Sequence, residues 1–184
     1  GVRQAHATKE DTVVLAGAGT LGLGMVNFLR MQGVKRLIVL DLIDRRLEMA
    51  REFGADVTLN PKTCDLMAEI ARLTDGVGCD VYIEATGHPA SVQQGLDIIR
   101  KGGTFVEFSV MSGPSTVDII GDAKEITIVG SQLSPHCYED VISALSRGEI
   151  RTQGMISHQF PLEDWEKAYA VAQSTESVKV LLRP

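Results

Sequence analysis

Short apolar runs rich in valine and isoleucine alternate along this chain with longer stretches whose apolar residues return every three or four positions. The runs at 13–16, 36–40, 57–59, 81–84, 104–108 and 126–129 predict six strands, because near-continuous Val, Ile and Leu is what a strand covered on both faces requires. Between them, residues 20–31, 44–53, 63–73 and 89–100 carry helical spacing, for example Leu47, Ala50 and Phe53. This alternation predicts an α/β domain: a doubly wound, six-stranded parallel sheet with helices on both faces. Gly33, Gly54 and the pair Gly102 and Gly103 follow helical stretches and read as helix stops, where a left-handed residue closes the last turn. Gly76 and Gly78 mark the turn into the fourth strand.

Beyond Gly148 the pattern changes. Residues 154–160 predict a strand, 161–172 a helix with Leu162, Trp165, Ala168, Tyr169 and Ala172 along one face, and 178–182 a closing strand. The chain thus divides into a main domain, 1–150, and a strand–helix–strand tail, 151–184, that lies outside the six-stranded pattern. An aromatic stripe of this kind is expected to be core, and the pattern leaves open what it packs against.

Composition narrows the classes. A chain of 184 residues suffices for one domain with a proper core and is short for two. The formal charge of −6 arises from acids and bases interleaved along the chain, so no basic stripe tracks a phosphate backbone and nucleic acid is not an expected partner. Cys64, Cys79 and Cys137 form no Cys-x-x-Cys pair, and an odd count suits a reducing, cytoplasmic setting. The uncharged run 12–29 has the length of a membrane span, but Gly17, Gly19, Gly22, Gly24 and Asn27 interrupt it, and no membrane partner is expected. No secretory signal opens the chain.

The chemistry concentrates at Gly17-Ala18-Gly19-Thr20-Leu21-Gly22, which leaves the first predicted strand and opens the first helix. Such a G-x-G-x-x-G turn is common by chance; its position between strand and helix is what gives it meaning. Gly17 permits a tight turn, Gly19 has no side chain to obstruct a pyrophosphate, and Gly22 lets the helix lie close to the sheet. The N–H groups of Thr20, Leu21 and Gly22 then face an anion at the positive end of the helix. Asp41 ends the second strand roughly 20 residues further on, where a Rossmann fold places the acid that accepts the ribose hydroxyls. A 2′-phosphate there would meet a like charge, so NAD is expected rather than NADP. Arg45 and Arg46 work against that preference, and Arg45 also reads as part of a solvated helix face.

From 11 to 147, and again in the tail, the chain resembles the cofactor-binding domain of zinc-dependent medium-chain alcohol and polyol dehydrogenases. The pieces that carry the resemblance are VVLAGAGTLGLG, LDLIDRRLEMAREFGAD, GVGCDVYIEATG, RKGGTFVEF and KEITIVGS. The resemblance implies that Asp41 binds ribose and that Arg46 lies near the adenosine. It places Ala85 and Thr86 along the cofactor, and Ser109, Val110, Ser131 and Gln132 where backbone groups meet the nicotinamide half. It puts Lys179 near the pyrophosphate. It also implies a preceding catalytic domain of similar length that carries the reactive zinc, and none of that domain's ligand pattern is present. His6, His88, His136 and His158 are scattered without ligand spacing, and the neighbours His136 and Cys137 lack a third partner, so no metal site and no catalytic residue are assigned here. A chain that opens on Gly1 looks cut from a longer enzyme, whose tail would return to the catalytic domain.

The expected function is therefore to hold NAD(H) and present its nicotinamide to a small alcohol or sugar alcohol bound in the other domain. The alternatives are a freestanding NAD-sensing or assembly module, and a different ligand such as S-adenosylmethionine or FAD on the same fold. The last strand, with Ile126, Ile128 and Val129, would be an apolar sheet edge, and the resemblance implies a homodimer or tetramer joined there.

Overall fold

The computed structural model describes residues 1–117, 124–133 and 137–184. Six strands form one parallel sheet: β1 (Thr12–Ala16), β2 (Arg36–Leu40), β3 (Val57–Leu59), β4 (Cys79–Glu84), β5 (Ile99–Glu107) and β6 (Thr127–Gly130), in the spatial order β3-β2-β1-β4-β5-β6. The helices of the main domain are α1 (Val2–Ala5), α2 (Thr20–Gln32), α3 (Asp44–Phe53), α4 (Leu66–Leu73), α5 (Pro89–Ile98) and α6 (Tyr138–Ser146). The strand order reverses between β1 and β4, the switch point at which an open sheet of this kind has a crevice at its carboxyl edge. The doubly wound, Rossmann-type fold expected from the pattern is the fold observed.

Strand parity explains why the apolar runs are continuous. Val13, Leu15, Leu37, Val39, Val81, Ile83 and Val106 join one core with Leu23, Val26 and Leu29 of α2 and Ala50 and Phe53 of α3. Their neighbours Val14, Ala16, Ile38, Leu40, Tyr82 and Phe105 join a second core with Ile70 of α4 and Leu96 and Ile98 of α5. With helices on both sides, successive residues of a central strand are buried whichever way they point.

Two expectations are corrected. Gly102 and Gly103 do not end a helix: α5 stops at Ile98 and the chain enters β5 at once. Cys79 pairs with Ile99 and Val81 already pairs with Thr104, so β5 bulges between them. Gly102 takes φ +69°, and a Cβ on Gly103 would stand 2.6 Å from Ile99 Cγ1 and 2.9 Å from the Asp80 carbonyl. The glycines serve the bulge. The helices α1 and α6 have no counterpart among the expected elements; α6 starts without a side-chain cap and buries only Ala144, so its pattern is weak. Among the described residues no helix is long and apolar enough to cross a membrane.

The tail forms β7 (Ile156–Pro161), a 3₁₀ turn (Leu162–Asp164), α7 (Trp165–Gln173) and β8 (Lys179–Arg183), with β7 and β8 paired in parallel as a separate two-stranded sheet. Of the face expected to be core, only Ala168 is buried; Leu162, Trp165 and Tyr169 are each more than half exposed, at 55, 56 and 62%.

Within the second core, Tyr82 and Phe105 stack with ring centroids 5.2 Å apart, and Gly95 of α5 passes against them. A Cβ there would lie 2.4 Å from Tyr82 Cε1 and 2.7 Å from Phe105 Cε2. Helix propensity favours Gly95→Ala by about 1 kcal/mol, whereas overpacking a closed core costs about 1–3 kcal/mol. Both rings are at least 98% buried and have little room to give, so the clash wins. Urea unfolding of Gly95→Ala should show a net loss of up to about 2 kcal/mol; a gain would mean that the aromatic pair repacks freely.

Candidate functional site

The turn after β1 is built by contacts that admit only glycine. Gly17 N–H donates to the Leu40 carbonyl at 2.7 Å, and Ala85 N–H donates to the Ala16 carbonyl at 2.9 Å, which ties β1 to both neighbours where the chain must leave the sheet. Gly17 takes φ +102°, and a Cβ on it would lie 2.6 Å from the Ala85 carbonyl oxygen. A Cβ on Gly22 would lie 1.9 Å from the Gly17 oxygen, so the helix closes onto its own turn rather than onto the sheet. Gly19 differs: nothing lies within 4 Å of its added Cβ. Its missing side chain leaves open space, as the approach of a bound group would require.

That space opens onto the start of α2. The first intrahelical bond runs from Leu23 N–H to the Gly19 carbonyl at 2.9 Å, and Gly19 supplies no side-chain cap, so the N–H groups of Thr20, Leu21 and Gly22 have no helical acceptor. The Thr20 hydroxyl turns away from the cleft and donates to the Val178 carbonyl at 2.6 Å.

Asp41 stands one residue beyond β2. Its Oδ2 accepts from Ala18 N–H at 2.8 Å and its Oδ1 from Ile43 N–H at 2.9 Å. A carboxylate offers about four acceptor positions, so each oxygen keeps capacity for one more donor. A cleft of 520 Å³ joins Gly17, Gly19, Asp41, Arg46, Ala85 and Thr86 at the carboxyl edge of the sheet. Leu42, Ile43, Pro61 and His88 also line it; the motif did not point to them, and only their positions just after strands β2, β3 and β4 could have done so. A wider groove of 720 Å³ lies between α3 and residues 151–154, away from the strand ends, and mixes Arg45 and Arg151 with Glu48 and Glu52.

The remaining residues implied by the resemblance are placed as follows. Arg46 lines the cleft but also donates through Nη2 to the Ser177 carbonyl at 2.9 Å, while its buried Nε has no partner. Arg45 is exposed, with Nη1 3.5 Å from the Glu176 carbonyl. Ser109 and Val110 follow β5; the Val110 side chain is 90% exposed, and its carbonyl lies over Gly87. Ser131 N–H donates to the Glu107 carbonyl at 2.7 Å, extending the sheet beyond β6, and Gln132 is exposed. Lys179 is exposed at the start of β8, next to the Val178 carbonyl that holds Thr20. None of Ser109, Val110, Ser131, Gln132 and Lys179 lines the cleft itself. Among the described residues no three His, Cys, Asp or Glu side chains converge as a metal site. His136 lies outside the described residues.

A second acid closes a strand at this edge. Glu84 is fully buried, and its carboxylate accepts from Thr86 N–H at 2.9 Å, Thr86 Oγ1 at 2.5 Å, Gly87 N–H at 3.2 Å and the Ser109 hydroxyl. Glu107 is its register partner on β5, and its carboxyl is held above the usual glutamate range by burial and then by the negative charge of Glu84.

A glycine turn between strand and helix, an acid at the end of the next strand and a cleft at the switch point define a dinucleotide-type α/β domain. The family model for zinc-binding dehydrogenases matches residues 20–147, and the chain belongs to that family. It is 42% identical over its full length to an erythritol/L-threitol dehydrogenase of Mycolicibacterium smegmatis, of which it covers 51%, and 31% identical to a sorbitol dehydrogenase of Halalkalibacterium halodurans, of which it covers 54%. An alcohol dehydrogenase of Escherichia coli, solved in complex with NADH, superposes with a TM-score of 0.87 at 31% identity, covering 97% of this chain and 54% of that one. The chain spans about half the length of the curated relatives it matches.

Two outcomes follow from this geometry. In Gly19→Val the added Cβ has nothing within 4 Å, so the fold should lose only about 1 kcal/mol from the poorer cap, while dinucleotide binding measured by calorimetry disappears. Retained affinity would show that the turn is structural only. For Glu107, the raised folded-state affinity for a proton means its contribution is favourable at low pH and is lost as pH rises through the raised value. Denaturant unfolding of Glu107→Gln should therefore show a stability relative to the parent that increases as pH climbs above glutamate's usual 4.5; a pH-independent difference would contradict the strain between Glu84 and Glu107.

Proposed function

We propose that this chain is the NAD(H)-binding half of an alcohol or polyol dehydrogenase. The observation that carries the reading is the pairing of Asp41 with the glycine turn: a carboxylate with one acceptor position left on each oxygen, beside a helix start whose N–H groups are unpaired. The adenosine ribose hydroxyls would donate to Asp41, and the pyrophosphate would lie over Gly19 against the N–H groups of Thr20, Leu21 and Gly22, at the positive end of the α2 dipole. Arg46, Ala85 and Thr86 line the same cleft. The nicotinamide half would extend across β4 toward Ser109, Val110, Ser131 and Gln132, with Lys179 on the pyrophosphate side.

Bound NAD supplies the hydride acceptor. The chain's own share is to bind, orient and face the nicotinamide toward a substrate held elsewhere. No zinc ligand set is present among the described residues, and no step is assigned to a metal in this chain. The relatives named for erythritol, threitol and sorbitol support a small sugar alcohol as substrate. The tail, 151–184, belongs with the other half of the enzyme: a parallel pair of only two strands, with Trp165 and Tyr169 uncovered, is an unfinished packing unit. Ile128 on β6 is 57% exposed, and with Ile126 and Val129 it supports self-association into a dimer or tetramer through that edge. A cytoplasmic site of action accords with the cysteine pattern.

Asp41 also sets the preference for NAD, since a 2′-phosphate would approach a carboxylate. Each charge-assisted bond is worth about 1.5–3 kcal/mol, so Asp41→Ala should weaken NAD binding by at least roughly 10-fold and weaken NADP binding much less, as read by titration calorimetry. Selective NAD binding by the parent chain with an unchanged NAD/NADP ratio in the variant would remove Asp41 from the ribose. Binding of S-adenosylmethionine in place of either dinucleotide would overturn the functional reading as a whole.

A further inference from the structure

Glu84 and Glu107 are cross-strand partners at the ends of β4 and β5. The bulge in β5 makes them so. Continuing the register of Cys79 with Ile99 would set Thr104 opposite Glu84, whereas the glycine bulge advances β5 until Glu107 faces it. The two carboxylates share the sheet face of Tyr82 and Phe105, with Ser109 between them: its hydroxyl oxygen bonds to Glu84 Oε2 and lies 3.2 Å from Glu107 Oε1.

Proton counting makes this arrangement informative. A serine hydroxyl has one hydrogen and can give it to one carboxylate. Glu84 already receives three other donors, from Thr86 N–H, Thr86 Oγ1 and Gly87 N–H, and takes the Ser109 proton as its fourth. The same hydroxyl lies within 3.2 Å of Glu107 Oε1, so one side chain spans the ends of both strands. Burial and then the negative charge of Glu84 hold the Glu107 carboxyl above the usual glutamate range, while hydrogen bonds from Ser109 act the other way.

The network fixes two loops at once. Thr86 Oγ1 accepts from His88 N–H at 3.0 Å, which joins Glu84 to the start of α5. Ser112 N–H donates to the Gly87 carbonyl at 2.8 Å, and a Cβ on Gly87 would lie 2.6 Å from the Val110 oxygen, so the loop after β5 is seated on the turn after β4. These loops lie on the β4–β5 side of the switch point, across β1 from Asp41. A dinucleotide whose ribose is held at β2 must lay its second half there.

We propose that Glu84, acting through Ser109, is the positioning residue that holds the β4 and β5 loops in the arrangement that receives the nicotinamide half of the dinucleotide. The inference rests on the NAD reading above.

ADP-ribose carries the adenosine and pyrophosphate but no nicotinamide, so the ratio of NADH to ADP-ribose affinity isolates the proposed role. In calorimetric titrations of the whole chain, Glu84→Gln and Ser109→Ala should keep ADP-ribose affinity within about twofold and lose about tenfold in the NADH/ADP-ribose ratio. Glu107→Gln, which leaves Glu84 with all four of its donors, should keep the ratio. An unchanged ratio in Ser109→Ala, a Glu107→Gln variant as impaired as Ser109→Ala, or a parent that binds NADH no better than ADP-ribose would overturn the proposal while leaving the NAD reading in place. A parent that binds neither ligand would overturn both.

Discussion

The structure depends on how closely the chain passes itself where it leaves β1. Gly17 lies against the Ala85 carbonyl on one side, and Gly22 lies against the carbonyl of Gly17 on the other, with no room for a Cβ at either position. That double approach brings the start of α2 to the edge of the sheet between β1 and β4. The consequence is electrostatic as much as steric: unpaired N–H groups end up at the switch point, beside the carboxylate of Asp41 and above the open space at Gly19. Side chains around this point adjust to the turn, as the Thr20 hydroxyl and the Arg46 guanidinium do by bonding to the tail.

The acidic residues at the strand ends show how a polar group is kept inside such a sheet. Asp41 is half-buried and accepts two backbone N–H groups, which orients it and leaves capacity for two more donors. Glu84 is fully buried and accepts four donors, which leaves it none. The first keeps acceptor capacity facing the cleft; the second ties the turns after β4 and β5 together. Residue type alone does not separate the two roles, because both are single acids at the end of an apolar strand.

Polar contacts join the tail to the main domain, and Met155 and Val178 pack against its first core. Asn27 Nδ2 donates to the Arg151 carbonyl at 3.1 Å and Arg151 N–H returns a bond to Asn27 Oδ1 at 2.9 Å, while the Val178 and Ser177 carbonyls accept from Thr20 and Arg46. Ile156, Leu162, Trp165 and Tyr169 remain largely in solvent. Burial of large apolar side chains ordinarily dominates packing energy, at about 1.5–3 kcal/mol each. A segment whose aromatic residues are uncovered while its backbone is hydrogen-bonded to α2 and α3 ties the geometry of those helices to whatever covers the aromatic face.

What the sequence determined by itself was the local and periodic part. Alternating parity in β1, β2 and β4 dictated burial on both faces and hence a parallel sheet between helix layers, and the spacing of Gly17, Gly19, Gly22 and Asp41 located the cleft, because turn geometry and strand length act over a few neighbouring residues. The tertiary structure decided what depends on register between distant segments. Gly102 and Gly103 look like a helix stop until β4 is laid beside β5, when they become the bulge that brings Glu107 opposite Glu84. The aromatic face of α7 has the periodicity of a core, yet whether it is covered depends on surfaces far away in the chain. Periodicity reports which side of an element is apolar; only the folded arrangement specifies which residues of two separate elements meet there.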